Sequence, residues 1–231
     1  MGMERMDDLQ FQNLFLFQDD ETACFTEDAV LLAHFMRVKP GDRVVDLGAG
    51  GGILCILGQG LTGAAFTGVE RQGRLVDMAR RSAAHNGQPV TFYEMDVSDA
   101  PAVLGHGAFT AAVMNPPYFT DGERSENASR ADARHGDSGT LDAFLHAAFL
   151  LLKNGGKLFL CWPAERLTDA LCALRHNRLE PKRMELTGPA GAPRLALIEA
   201  RKLGKPGMKI ALTARIGDGG AMEGGGETAR A

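Results

Sequence analysis

The sequence predicts a single α/β domain of the doubly wound type, built on a mostly parallel sheet. Three observations predict it. The stretch from Arg43 to Gly52, RVVDLGAGGG, joins a short apolar strand to a glycine-rich turn, and a helix-like segment follows. Strand-like and helix-like segments then alternate at intervals of roughly 20 to 26 residues, as in parallel strands joined by right-handed crossovers. With 231 residues, 45% hydrophobic and 23% charged, the chain has the size and composition of one globular domain without internal repeats.

The N-terminal part is expected to precede the main domain. Residues 1–25 are predicted to form a short hairpin or a strand covering a sheet edge, because residues 9–18, LQFQNLFLFQ, partly alternate and are aromatic. Thr26 is a candidate N-cap, with Glu27 and Asp28 in the first turn of a helix that Pro40-Gly41 ends.

The main domain is predicted over residues 26–216. After the first strand, four more are expected over Ala64–Glu70, Val90–Asp96, Ala108–Asn115 and 157–162. Helices are expected over 53–60, Arg74–His85, Leu141–Leu152 and Glu165–Asn177. Strands at 182–186, 194–202 and 209–216 follow with short connections, which favours antiparallel pairing. Together these segments predict a mostly parallel seven-stranded sheet with an antiparallel C-terminal strand pair. Residues 119–139 are polar without periodicity, and the tail 217–231 is predicted to be disordered.

Composition and charge exclude several classes of protein. No apolar run approaches the roughly 18 residues of a membrane helix, and the N-terminus lacks the apolar core of a signal peptide. The four cysteines are scattered and indicate a reduced, cytoplasmic protein without a metal site. Residues 1–100 are rich in acids, whereas residues 175–215 have an excess of bases. Such asymmetry is typical of a nucleic-acid footprint, although an ordinary solvated surface is the alternative.

Polar side chains stand at the predicted ends of the first four strands: Asp46, Glu70, Asp96 and Asn115. Ligands of open parallel sheets bind at this edge, although a solvated acid is the alternative for each carboxylate taken singly. The glycine spacing fits the dinucleotide pattern Gly-x-Gly-x-x-Gly poorly. It fits Asp-x-Gly-x-Gly-x-Gly, and resembles the first motif of S-adenosylmethionine-dependent methyltransferases through Asp46, Gly48, Gly50 and Gly52.

Each carboxylate has a use with that cofactor. Glu70 is suited to accept from both ribose hydroxyls, Asp96 from the adenine amine, and Asp46 from the methionine ammonium or a water. Thr26, with Asp28, is a candidate for closing the site, and an ordinary helix cap is the alternative. The full set of candidate cofactor-binding residues is Thr26, Asp46, Gly48, Ala49, Gly50, Gly52, Glu70, Arg71, Asp96, Val97 and Asn115.

The most specific motif is Asn115-Pro116-Pro117-Tyr118 at the end of the fourth strand. Two prolines make the turn rigid and leave its carbonyls free to accept. The Asn115 side-chain oxygen and the Pro116 carbonyl are then placed to accept from one planar amine, and the Tyr118 ring is placed to stack on a flipped base. Methyl transfer from a sulfonium is an in-line displacement, so orientation supplies most of the acceleration and no general base is expected.

This motif resembles that of amino-methyltransferases acting on adenine, on guanine N2 or on glutamine side chains. The chain is further similar to the bacterial tRNA adenine-N6 methyltransferases that modify the adenine beside the anticodon of valine tRNA. The likeness covers about residues 10–215 and is carried by the segments FTEDAVLLAHF, DLGAGGG, GVE, NPPY and RLALIEARKLGKPGMKI, with Arg130, Arg134 and His135. It implies one class I, Rossmann-like methyltransferase domain that uses S-adenosylmethionine, flips a base and holds tRNA through its basic C-terminal region.

Two groups of basic residues are candidates for contact with that substrate. In the loop after the motif, Arg130, Arg134 and His135 are placed to contact phosphate, and a mobile loop without function is the alternative. The C-terminal candidates for the tRNA backbone are Arg194, Arg201, Lys202, Lys205 and Lys209.

Other functions remain open at this point. A glutamine N5-methyltransferase would use the same motif but would be expected to carry an extra N-terminal helical domain, which 25 residues before Thr26 do not supply. Methylation of guanine N2 in rRNA is a further alternative. A non-catalytic cofactor binder is disfavoured by the intact motif, and an oxidoreductase by the glycine spacing. The oligomeric state, monomer or homodimer, is not indicated.

Overall fold

The computed structural model describes residues 3–20, 26–116, 138–189 and 192–214. In chain order the elements are β1 (Glu4–Asp8), β2 (Phe15–Asp19), α1 (Glu27–Phe35), β3 (Arg43–Leu47), α2 (Ile53–Thr62), β4 (Ala65–Glu70), α3 (Gly73–His85), β5 (Thr91–Glu94), α4 (Ala100–Leu104), β6 (Phe109–Met114), α5 (Ser138–Leu151), β7 (Leu152–Pro163), a 3-10 turn (Ala164–Arg166), α6 (Leu167–His176), β8 (Leu179–Gly188), β9 (Leu195–Lys202) and β10 (Lys209–Ala214).

The central sheet has eight strands in the order β10-β8-β9-β7-β6-β3-β4-β5. Strands β3 to β7 run parallel, and β9 runs against its neighbours β7 and β8. The predicted doubly wound, mostly parallel fold class is confirmed. The predicted count of seven strands is wrong by one. Pairing of the last strand also differs, because β10 lies beside β8 and runs parallel to it.

Helices cover the central sheet on both faces. Helices α1 to α3 pack with side chains such as Val44 and Phe159 on one face, and α4 to α6 pack with side chains such as Val45 and Leu158 on the other. Successive strand residues point to opposite faces, so a strand that is buried on both sides is apolar throughout. This explains why the central strands are recognisable in the sequence.

Several boundaries differ from the predicted ones. Helix α5 ends at Leu151 and β7 begins at Leu152, so the predicted helix stop at 154–156 lies inside a strand. Strand β5 ends at Glu94, two residues before the predicted end, because the Asp96 side chain forms a turn with Ser98. The short helix α4 was not predicted. The predicted polar stretch 119–139 lies largely outside the described residues, and the tail 217–231 lies wholly outside them.

The N-terminal strands form a separate hairpin, β1 paired with β2, and do not extend the central sheet. The hairpin is fastened to α3: the Phe15 amide donates to Asn86 Oδ1 and the Phe17 amide to Ser82 Oγ, both at 2.9 Å. At the end of β2, the buried Asp19 carboxylate pairs with Arg74 Nε at 2.6 Å. The hairpin therefore lies against α3, close to the glycine-rich turn before α2.

None of the helices in the described parts of the chain has the length and apolar character that a membrane span requires.

Candidate active site

The strand register brings the predicted site residues to one level of the sheet. Leu47 of β3 pairs with Val69 of β4, and Asp46 pairs with Val113 of β6. The residue after β3 is therefore level with Glu70 on one side and with Asn115 on the other. Neighbouring strands lie about 4.8 Å apart, so the backbones at these two residues are separated by roughly 10 Å. The carboxyl edge of β4, β3 and β6 thus forms the candidate site.

A turn with left-handed backbone at three glycines joins β3 to α2. The φ angles are +74° at Gly48, +55° at Gly50 and +89° at Gly52. A Cβ at Gly48 would lie 3.0 Å from the Phe144 ring, and one at Gly52 would lie 2.8 Å from the Phe92 ring. Both the backbone conformation and the space therefore require glycine. The result is a half-buried, glycine-rich cradle of backbone at the N-terminus of α2, which is suited to a ligand that approaches closely.

Glu70 is held rigidly beside this turn. Its side chain is buried, and each carboxylate oxygen accepts one backbone hydrogen bond: Oε2 from the Gly50 amide at 3.0 Å and Oε1 from the Gln72 amide at 2.9 Å. A carboxylate oxygen accepts two hydrogen bonds, so both oxygens retain capacity for a pair of hydroxyls. The geometry suits the bidentate role that the sequence assigned to Glu70.

Asp46 is fully buried at the end of β3. Its Oδ2 accepts from the Cys55 thiol at 3.5 Å, whereas Oδ1 has no hydrogen-bond partner among the described residues. Burial raises the pKa of Asp46 to about 7, the thiol contact opposes this, and the charge of Glu70 adds to it. Burial likewise raises the pKa of Cys55, which keeps the thiol protonated as a donor. An unpaired buried carboxylate oxygen beside the cradle fits a cationic or hydrogen-bond-donating group of a cofactor.

Asp96 occupies the turn between β5 and α4 and is exposed. Its Oδ1 accepts from Ser98 twice, from the backbone amide at 2.9 Å and from the hydroxyl at 2.7 Å. These bonds, with the hydroxyl contributing most, lower the pKa of Asp96, and the charge of Arg71 lowers it further. The adjacent Val97 is buried. Asp96 therefore presents an ionised, fixed carboxylate at the same edge of the sheet.

Asn115 follows β6 and is half-buried, and Pro116 behind it is buried. The Asn115 side-chain oxygen accepts from the Cys161 thiol of β7 at 2.9 Å. Cys161 was not among the residues predicted for the site, although it lies in the predicted fifth strand, which runs beside the end of the fourth. The predicted site residues Pro117, Tyr118, Arg130, Arg134 and His135 lie outside the described residues.

The candidate residues of the C-terminal region separate to opposite edges of the sheet. Because β9 runs antiparallel, Arg194 lies at the carboxyl edge, where it pairs with Asp28 at 2.8 Å. Thr26 lies nearby at the start of α1 and is exposed, and its side chain makes no capping hydrogen bond. Lys202 and Lys205 lie at the opposite, amino edge.

The prediction that Lys202 contacts tRNA is corrected by its burial. The ammonium donates to the Leu152 carbonyl at 2.7 Å and lies 4.3 Å from the centre of the Phe149 ring. Burial also lowers the pKa of Lys202. This lysine therefore fastens β9 to β7, whereas Lys205 and Lys209 are exposed.

Comparisons with known proteins identify the family of this chain. A family model described as the methyltransferase small domain matches residues 26–171. The chain is 32% identical over 189 residues to a tRNA1(Val) (adenine(37)-N6)-methyltransferase of Shewanella amazonensis, covering 79% of this chain and 81% of the relative. Among solved structures it resembles a predicted O-methyltransferase from Agrobacterium tumefaciens, with a TM-score of 0.64 and 23% identity over 81% of this chain and 85% of that one. It also resembles a T. thermophilus 16S rRNA N2 methyltransferase in complex with AdoMet and guanosine, with a TM-score of 0.61 and 18% identity over 87% of this chain and 51% of that one.

The sheet order shows a doubly wound, Rossmann-like fold, and the matching family model gives its class, a methyltransferase domain. The chain belongs to the methyltransferase small domain family, because the matching model covers more than half of it. The expectation of a methyltransferase that the sequence raised is thereby confirmed.

Proposed function

We propose that this protein transfers a methyl group from S-adenosylmethionine to the exocyclic N6 of an adenine in tRNA, next to the anticodon. One observation carries the proposal: Glu70, the glycine cradle and Asn115 stand side by side on three neighbouring strand ends. In this proposal Glu70 binds the cofactor on one side of the cradle, and Asn115 binds the amine of the substrate on the other side. The relatives named as tRNA adenine-N6 methyltransferases match most of the length of this chain, and their names are the basis for proposing adenine in tRNA as the substrate.

The residues on the cofactor side fit S-adenosylmethionine. When bound, this cofactor supplies an electrophilic methyl group on a sulfonium. Glu70 accepts from the ribose hydroxyls, and its two backbone hydrogen bonds fix it in advance. Asp46 faces the ammonium of the methionine part, where its buried Oδ1 gains a donor. Asp96 accepts from the adenine amine. Arg71, whose charge acts on Asp96, and the adjacent Val97 lie at the same edge of the sheet.

Asn115 and the carbonyl of Pro116 orient the amine of the substrate. Two acceptors on one planar amino group direct its lone pair towards the methyl carbon, so positioning provides the acceleration. The amide oxygen of Asn115 accepts two hydrogen bonds, so the Cys161 thiol fixes its direction without excluding the amine. A proton leaves the nitrogen after the methyl group has been transferred, and no side chain needs to remove it beforehand.

The remaining substrate contacts of the proposal come from the sequence. Tyr118 stacks on the flipped adenine, and Arg130, Arg134 and His135 contact phosphate or order over the base. Arg194 lies at the carboxyl edge and is half-exposed, which suits a phosphate contact beside the site. Since tRNA is the substrate, the reaction belongs in the cytoplasm.

Mass spectrometry of nucleosides tests the proposal directly. The full chain is incubated with labelled S-adenosylmethionine and unmodified tRNA, the RNA is digested, and the labelled nucleoside is identified. We expect N6-methyladenosine. N2-methylguanosine in tRNA or rRNA would favour the guanine alternative, and label in a protein glutamine would favour the N5 alternative; either product would overturn the assignment of adenine.

A further inference from the structure

A basic groove opens at the amino edge of the sheet, opposite to the candidate active site. It has a volume of about 640 Å³ and is lined by four cationic residues, Arg37, Lys39, Lys153 and Lys157, together with one acid, Asp42, and four uncharged residues. We call this surface the amino-edge groove. Three separate segments build it: residues 37–42 between α1 and β3, Thr110 and Ala111 at the start of β6, and residues 153–157 at the start of β7. The fold therefore gathers charges that are far apart in the sequence.

The cations of the amino-edge groove are not neutralised locally. Within the described ranges, none of these four side chains forms an ion pair with a carboxylate. The acid that lines the groove is Asp42, and its Oδ2 accepts from the backbone amide of Lys39 at 3.0 Å. The Lys157 ammonium donates to the Arg37 carbonyl at 2.8 Å, which holds two walls together. Four like charges on one concave surface repel one another, so the arrangement is suited to an anionic partner.

The basic surface continues beyond the groove. Lys157 pairs in register with Arg201 of β9, and Arg201 is exposed. Lys205 is exposed just after β9 at the same edge. The reversed direction of β9 therefore moves part of the basic C-terminal region away from the active site and onto this surface.

The active-site edge presents carboxylates as well as Arg194. Asp46, Glu70 and Asp96 stand there, and carboxylates repel phosphate. The groove lies at the other end of β3, about six residues or roughly 20 Å away through the sheet. Since the whole chain has a net charge of -4, attraction of a polyanion depends on a local basic surface. The amino-edge groove is such a surface.

We propose that the amino-edge groove binds the phosphate backbone of the substrate RNA outside the nucleotide that enters the active site. This inference rests on the proposed function, since it assumes an RNA substrate long enough to reach both edges. Contacts to phosphate position an RNA without reading its sequence. The groove would thus set the affinity for the body of the tRNA, whereas the carboxyl edge handles the target base.

A double substitution tests the groove without touching the active site. Lys39→Gln/Lys153→Gln removes two exposed charges of the groove, and Arg5→Gln/Arg81→Gln removes the same charge from the hairpin and α3 as a control. Binding of full-length tRNA is measured by fluorescence anisotropy over a range of salt concentrations. We expect the groove variant to lose about tenfold in affinity and about two units in the slope of log K against log salt. The control should stay within about twofold of the wild type.

Kinetics separate this inference from the proposed function. For the groove variant we expect KM for full-length tRNA to rise, with kcat at saturating tRNA and KM for a short anticodon stem-loop unchanged. Equal tRNA affinity and salt slope in the groove variant and the wild type would overturn the inference, as would an equal loss in the control. If the wild type methylates no RNA, the proposed function fails, and the comparison of salt slopes still decides whether the groove binds RNA.

Discussion

Asp46→Asn should change the pH dependence of stability. The carboxylate is fully buried, and burial raises its pKa from 3.8 to about 7. The folded protein therefore binds a proton between these pH values that the unfolded chain has lost, and folding becomes less favourable as pH rises through this range. Ionisation of the buried Asp46 therefore lowers the free energy of unfolding fully above pH 7 and not at all below pH 4. Asparagine has nearly the same shape and carries no charge at any pH.

The size of the effect follows from the pKa difference. A shift of about three units corresponds to roughly 4 kcal/mol at high pH, as an order of magnitude. Between pH 5 and pH 8 the part that changes is about 2–3 kcal/mol. The constant losses in the variant, such as the bond from the Cys55 thiol, are the same at both pH values and cancel in this comparison. The difference in free energy of unfolding, Asp46→Asn minus wild type, should therefore increase by about 2–3 kcal/mol between pH 5 and pH 8.

Urea denaturation without cofactor at pH 5, 6, 7 and 8 provides the measurement, with midpoint and slope fitted separately. Asp99→Asn, which removes an exposed carboxylate at the start of α4, is the matched control for the loss of one carboxylate. A difference between Asp46→Asn and the wild type that stays constant with pH would show that Asp46 is ionised throughout. The assignment of Asp46 as an unpaired carboxylate beside the cradle would then be wrong.

Two further substitutions test the arrangement of the site. Glu70→Gln removes the charge that accepts from the ribose, so calorimetry should show cofactor affinity at least about tenfold weaker, whereas Glu94→Gln, exposed on the next strand, should bind as the wild type does. Unchanged affinity in Glu70→Gln would reject the ribose role. Cys161→Ala removes the donor to Asn115, so kcat should fall by about tenfold with KM nearly unchanged, and Cys161→Ser should recover most of it. A serine variant as slow as the alanine variant would show that Cys161 contributes only packing.

The fold class was predictable because the central strands are buried on both faces. Their apolar runs, and the glycines and acids that follow them, are local features of the sequence. The pairing of β10 was not local. The short connection 203–208 favoured a hairpin with β9, but β9 already pairs with β7 and β8, so the chain passes to the free edge of β8 and runs parallel to it.

The site was predictable to a different extent for each residue. Glu70 and Asn115 end apolar strands, and parallel pairing alone places them on one edge. The raised pKa of Asp46 and the thiol contact of Asn115 depend on neighbours in space that no spacing in the sequence reveals. Lys202 was misplaced because net charge along the chain does not show which way β9 runs or that its ammonium is buried against a carbonyl.

The proposed methyl transfer depends most on Asn115 as the acceptor that orients the amine. Single-turnover methyl transfer to tRNA by Asn115→Ala, measured beside cofactor affinity by calorimetry, tests it most directly. Asn177→Ala, which changes an asparagine after the end of α6 and outside the lining of the amino-edge groove, is the control. We expect Asn115→Ala to lose N6-methyladenosine formation by about 1,000-fold or more, with cofactor affinity within a few-fold of the wild type. Turnover close to that of the wild type would contradict the proposed role of the strand end after β6.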